Sequence, residues 1–209
     1  MNPFPPRAFN VGELDVVFGK ERLLQLAKRA TFPFISSNLL DAETKKPIFP
    51  GHVIAQRDGK KVAFIGLSKA RPQITGYYEA RGMEVAESLA SYKAELAKLP
   101  GDVDLVVLLM NDGVANAQTF ARDLKREGGR VDLILSSNSN RLTRDPEWID
   151  GVPILEPMSR GKYFGRVDVW AAGDGALNYA NDIPGKIVTI EAYRRHWTTY
   201  LQARVGLHQ

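Results

Sequence analysis

The 209-residue chain contains no cysteine. That absence excludes disulfides, thiolate metal sites and cysteine nucleophiles together. Histidine is nearly as scarce, with three residues, His52, His196 and His208. No stretch approaches the roughly 18 consecutive apolar residues of a membrane span, so none is expected. The opening "MNPFPPRAFN" has neither the cationic start nor the apolar run of an export signal. Because a cysteine-free chain suits any redox environment, the compartment stays open. Lys and Arg number 28 against 24 Asp and Glu, a formal net charge of +4, and no basic run exceeds three residues. A surplus so dispersed argues against a nucleic-acid polymer as partner.

What is present reads as one globular unit over residues 1–209, with 44% hydrophobic residues to build a core. "KERLLQLAKRA" from Lys20 has a helical apolar face, and "FPFISSN" follows as a short strand. In "HVIAQRDGKKVAFIGLS" two apolar runs flank Asp58-Gly59, a hairpin signal. Met83 to Leu99 is amphipathic and stops at Pro100-Gly101, which predicts one helix. Val103 to Met110 is almost wholly apolar, as a strand covered on both faces must be. A helix closed by Gly128-Gly129 then leads to "VDLILSSNSN", and the short crossover makes these two strands parallel neighbours. "VPILEP", "GRVDVWAA" and "KIVTI" are shorter and broken by Gly and Pro, which suggests antiparallel pairing. A final helix over about 190–205 places Ile190, Tyr193, Trp197, Tyr200 and Leu201 on one face. The fold class is α/β.

The two parallel strands end in Met110-Asn111-Asp112-Gly113 and Ser136-Ser137-Asn138-Ser139-Asn140. Two carboxamide-rich loops therefore belong side by side at the carboxyl rim of the sheet, where α/β proteins place their sites.

The order of "FNVGELDVVFGKERLLQLAKRATFPFISSN", the Asp-Gly hairpin ending in Ile-Gly-Leu, "DLVVLLMNDG", "DLILSSNSN" and "GVPILEPMSRGKYFGRVDVW" resembles the 5'-nucleotidase branch of the calcineurin-like metallophosphoesterases, over about Phe9 to Trp170. The resemblance implies a layered α/β sandwich, incomplete here at its N-terminus, and a two-metal phosphoesterase site. It also implies that the first loop reads Gly-Asn-His-Asp, where this chain has Gly12-Glu13-Leu14-Asp15. The metal-bridging Asn would thus be Glu13 and the catalytic His would be Leu14. Asn111 stands for the His of the second loop, and Asn138 and Asn140 for both His of the third. A carboxamide oxygen is a poor transition-metal ligand beside a neutral imidazole nitrogen. The family's opening Asp-x-His strand and Gly-Asp loop have no counterpart in the few residues before Phe9, and none of the three His falls at a family ligand position.

Three readings follow. The chain is a degenerate, non-catalytic binding or structural module with no cofactor beyond weakly held Mg²⁺ or Ca²⁺. Or it is a rewired hydrolase in which Glu13, Asp15 and Asp112 hold one hard cation. Or it is a fragment or subunit of a metal-dependent phosphoesterase completed by another chain. The first is taken as the expectation. A sheet lacking its opening strands also implies self-association or a second protein subunit over the exposed edge. Plainer roles stand beside the functional ones. Glu13 and Asp15 can cap the following helix, Asn111 and Asp112 can be turn chemistry, and Asn138, Ser139 and Asn140 can bond to one another and to loop amides. Arg160 and Lys162 can attract an anion or belong to a surface turn.

Overall fold

A computed structural model describes residues 6–57, 59–143, 145–158, 164–165, 167, 169 and 189–190. In chain order the elements are β1 (Phe9–Asn10), α1 (Gly19–Arg29), β2 (Phe34–Ile35), β3 (Leu39–Asp41), β4 (His52–Arg57) and β5 (Lys60–Leu67). Then follow α2 (Thr75–Glu79), β6 (Met83–Val85), α3 (Ser88–Leu96), β7 (Leu105–Met110), α4 (Val114–Arg126) and β8 (Leu133–Ser136). The last are β9 (Glu147–Ile149), β10 (Val152–Leu155), β11 (Phe164–Gly165) and β12 (Thr189–Ile190).

The main sheet runs β4-β5-β7-β8-β10-β9. Its four central strands are mutually parallel, and β4 and β9 join antiparallel at the two edges. Side chains alternate across the sheet, and the alternation sorts them into two apolar layers. Ala63, Ile65, Val106, Leu108, Ile134 and Ile154 face Tyr92 of α3 and Ala117, Phe120, Ala121 and Leu124 of α4. The intervening residues Phe64, Leu105, Val107, Leu133 and Leu155 form the opposite layer, against which Val167 and Val169 pack. Burial on both faces explains the near-continuous apolar run of β7. A second cluster joins the loop after β1 to α1, α2, β3 and β6 through Val11, Val16, Leu23, Leu39, Tyr78 and Met83.

The hairpin between β4 and β5 forms as its Asp-Gly predicts, with Arg57 paired to Lys60 and Gly59 at φ +76°. The parallel pairing of β7 and β8 also holds, Val107 to Leu133 through Met110 to Ser136. Two expectations fail. Met83 to Leu99 is not one helix. Met83–Val85 pairs antiparallel with Leu39–Asp41, and α3 starts only after Glu87, whose carboxylate accepts the amides of Leu89 and Ala90 at 2.8 and 2.6 Å as an N-cap. "VPILEP" is antiparallel to β9 alone and parallel to β8, because the chain crosses the sheet once more before entering it. The proposed C-terminal helix lies outside the described residues apart from Ile190, which with Thr189 forms a strand beside β11.

Candidate site at the carboxyl rim of the sheet

The carboxyl ends of β1, β5, β7 and β8 meet at one rim. Asn10 Nδ2 donates to the carbonyl of Leu67 at 2.9 Å, and the same carbonyl accepts Asn111 N–H at 3.0 Å. Ser68 Oγ donates to Val11 O at 2.7 Å and shares a hydrogen bond with Ser36 Oγ at 2.8 Å. Asn38, fully buried, completes this base by accepting Ser68 N–H at 2.8 Å and donating to Ser68 O at 2.9 Å. Ser36, Asn38 and Ser68 are mutually bonded and form a rigid floor beneath the rim, whereas Asn10 Oδ1 is buried with no hydrogen-bond partner among the described residues.

Asn111 is the tie across the rim. Its Oδ1 accepts Glu13 N–H at 3.2 Å and its Nδ2 donates to Ser137 Oγ at 2.9 Å. Gly113 N–H donates to Ser137 O at 2.7 Å, and Ser137 N–H to Met110 O at 3.0 Å. Gly12 is needed where it stands, because a Cβ there would lie 2.9 Å from Asn111 Nδ2. The resemblance thus assembles three of its loops correctly: Glu13, Asn111 and Ser137 are joined by direct bonds.

The charged residues pair with cations of the same chain. Lys69 Nζ lies 2.7 Å from Glu13 Oε2. Arg71 Nε lies 2.8 Å from Asp112 Oδ1, and its NH2 donates to Asp112 O at 3.3 Å. Asp112 is pushed above the usual carboxylate range, because burial outweighs the opposing pull of Arg71 and Lys69. Asp15 turns back to accept Gly12 N–H at 2.7 Å, and its carboxyl is likewise raised by burial against the effect of that bond. Tyr77 adds a donor from its hydroxyl to Glu13 O at 3.2 Å. Leu14 is 73% exposed and points into no packing.

The capping role weighed for Glu13 and Asp15 is not met: Phe18 is the N-cap of α1 and no side chain caps it. Asn116 Nδ2 donates to the Asp112 carbonyl at 2.7 Å. In the third loop Asn138 and Asn140 are exposed and adopt left-handed backbone, φ +81° and +58°. Ser139 between them is held by Glu156. Arg160 and Lys162 lie outside the described residues. His52 begins β4 opposite Ile65 and lies 2.6 Å from Glu95. Sequence reasoning missed Lys69, Arg71, Ser137 and Glu156. The signal for the first two was available: "IGLSKAR" follows a strand that enters the parallel sheet, so its tail must emerge at the same rim.

This fold is that of the calcineurin-like metallophosphoesterases and 5'-nucleotidases, and the chain is similar to them in sequence as well. A Thermus thermophilus sulfate thiohydrolase, SoxB, superposes with a TM-score of 0.66 at 23% identity, over 92% of this chain and 35% of that one. A 5'-nucleotidase precursor from the same organism gives 0.60 at 19% identity, over 82% and 37%. In sequence, the uncharacterized metallophosphoesterase YunD of Bacillus subtilis is 29% identical over 151 residues, 71% of this chain and 31% of YunD. A 2',3'-cyclic-nucleotide 2'-phosphodiesterase/3'-nucleotidase of Yersinia enterocolitica is 22% identical over 199 residues, 80% of this chain and 30% of its own. The chain therefore spans about a third of the length of these curated relatives. No protein-family model matches it.

The expectation of no cofactor beyond weak Mg²⁺ or Ca²⁺ is overturned by this comparison: a sequence relative is a metallophosphoesterase, and the fold is shared with 5'-nucleotidases, so divalent metal belongs to the proteins this chain resembles. The described residues do not by themselves fit such a centre. Among them no group of three or more His, Asp or Glu stands close enough to hold a metal ion, and Glu13 and Asp112 are already matched with Lys69 and Arg71. No helix among the described residues is long and apolar enough to cross a membrane.

Proposed function

We propose that the chain is a degenerate 5'-nucleotidase or metallophosphoesterase-like domain that serves as a binding or structural module and does not hydrolyse phosphoesters. The observation that carries the reading is the side chain of Asn111. At the position where the resemblance implies a ligand histidine, both ends of the carboxamide bind protein, Glu13 N–H and Ser137 Oγ. A group whose acceptor and donor are both engaged in a strut between loops is built to hold a shape.

The module works in company, through self-association or a second subunit. The outer strand β4 supports this: it is six residues long and occupies an edge of the main sheet, and such an edge presents unpaired backbone groups. Light scattering tests it, and a monodisperse monomer at high concentration counts against it.

A second reading has its own support, the one-third share of the curated relatives that the chain spans. Under it the chain is one part of a metal-dependent phosphoesterase whose site another part completes. An assay on the chain alone tests the first reading, whereas the second expects turnover only once the completing part is supplied. Phosphate release from a nucleoside monophosphate and from an aryl phosphate is followed with Mn²⁺, Zn²⁺, Co²⁺, Mg²⁺ or Ca²⁺ supplied in turn. The module reading expects no turnover above the Asn111→Ala/Asp112→Ala double variant. Turnover that this variant abolishes overturns it in favour of the hydrolase.

A further inference from the structure

The two cations of the rim come from one short stretch, Lys69 and Arg71, two residues apart in the segment that leaves β5. They reach different loops. Lys69 takes Glu13, in the loop after β1, and Arg71 takes Asp112, in the loop after β7. The Lys69 and Glu13 side chains are only 17% and 21% exposed, so that pair is sheltered from solvent, whereas in the second pair Asp112 is 10% exposed and Arg71 42%, so it is sheltered on its acid side alone. Arg71 is fixed by two bonds to one residue, the carboxylate and the carbonyl of Asp112.

We propose that Lys69 and Arg71 are the resident cations of the rim, closing Glu13 and Asp112 to divalent metal, so that any metal the protein takes is held by other groups. The inference rests on the reading of the rim as degenerate and assigns the residues that made it so. A metal ion entering between Glu13 and Asp112 would have to displace both side chains. It would then leave a sheltered Lys69 ammonium and the Arg71 guanidinium beside a doubly charged ion, which is unfavourable for both and most for the ammonium. Two other oxygens of the rim are engaged as well, Asn111 Oδ1 by Glu13 N–H and Asp15 by Gly12 N–H, and Asn10 Oδ1, buried without a partner among the described residues, is a single neutral oxygen that cannot by itself hold a divalent ion.

The test uses Mn²⁺ alone as a paramagnetic probe, read by NMR on the full chain. In the unaltered protein the amide signals of Glu13 and Asp112 are expected to broaden no more than those of the exposed carboxylate residues Asp102 and Glu127. Selective broadening at Glu13 and Asp112 would overturn the inference. In the Lys69→Met/Arg71→Met variant both signals are expected to broaden selectively, at a Mn²⁺ concentration lower by roughly tenfold or more, a difference of about 1.4 kcal/mol per decade. If the variant is folded and its rim signals stay as indifferent to Mn²⁺ as before, the paired cations are not what excludes the metal and the inference fails. Should the double variant not fold, Lys69→Met alone reports on Glu13 with Arg71 still in place, under the same two outcomes. Phosphate release without rim broadening would remove the degenerate-module reading and leave this inference standing, while broadening without phosphate release would do the reverse.

Discussion

Ser139 is bound twice by the carboxylate of Glu156: its N–H donates to Oε1 at 2.8 Å and its hydroxyl to Oε2, also at 2.8 Å. Ser136 Oγ donates to the same Oε2 at 3.2 Å. Glu156 is itself 1% exposed and is fixed through its backbone, its N–H donating to Thr143 Oγ1 at 2.7 Å and its carbonyl accepting Thr143 N–H at 3.0 Å. The third rim loop, with its two left-handed Asn residues, is therefore anchored from beneath by a buried acid at the end of β10. Strain at Asn138 and Asn140 persists because its flanks are over-determined.

Removing that anchor should be costly. Glu156→Ala leaves the Ser139 amide and the Ser136 hydroxyl without their acceptor, and an abandoned buried donor costs about 1–3 kcal/mol. A loss of about 3 kcal/mol is expected, read as a fall in the urea midpoint at unchanged slope. Ser139→Ala keeps the amide bond and loses one hydroxyl bond, so about 1 kcal/mol is expected. Equal losses in the two variants would show that Glu156 is not the anchor.

The sequence made some of this legible and concealed the rest for physical reasons. The β7 and β8 pair and the meeting of their loops at one rim were readable because an apolar run, a glycine-closed helix and a second apolar run admit few topologies. The hairpin was readable because Asp-Gly favours the required turn. Met83–Val85 was not, since Met-Glu-Val suits helix and strand alike and its pairing with Leu39–Asp41, over forty residues upstream, decided the outcome. Glu156 gave no sign of its role, because a lone acid in "PILEP" looks the same in sequence whether it meets water or three donors. Lys69 and Arg71 were hidden by reading β5 only as a hairpin arm, when its other edge pairs parallel with β7.

Acid should weaken the fold through Asp41. Its carboxylate lies 2.7 Å from Lys20 Nζ and accepts the Thr44 and Glu43 amides at 2.8 and 3.0 Å. The Lys20 bond first, and the Thr44 amide next, hold its carboxyl well below the ordinary 3.8. A group with a depressed native value contributes stability that is present above its unfolded value and lost as pH falls below it. The denaturation midpoint should therefore decline from about pH 4 downward, and Asp41→Asn should flatten that decline. Asp112, whose carboxyl is raised by burial, has the opposite sign and cannot produce it. An acid limb unchanged in Asp41→Asn would assign the effect to other carboxylates.

Tyr78 supplies a prediction of gained stability. The residue is fully buried with Val11, Val16, Leu23 and Met83, and its hydroxyl has no hydrogen-bond partner among the described residues. Burial first, and then the nearby Glu13, Tyr77, Asp112 and Asp15, push the phenol far above its usual range, so it is a neutral hydroxyl. A donor and acceptor left unmade in such a place costs about 1–3 kcal/mol, whereas removing it without changing shape is neutral or favourable. Tyr78→Phe keeps the ring and its edge-on contact with Tyr77, 5.8 Å between centroids at 89°, and deletes only the oxygen. Thermal melting should show a gain of about 1 kcal/mol, which is roughly 2–4 °C for a domain of this size. Tyr78→Leu, which gives up ring volume as well, should instead lose about 2 kcal/mol through the cavity it opens. A Tyr78→Phe protein that melts lower than the unaltered chain would mean that the hydroxyl is bonded after all, and the account of it as an unpaired buried group would have to be abandoned.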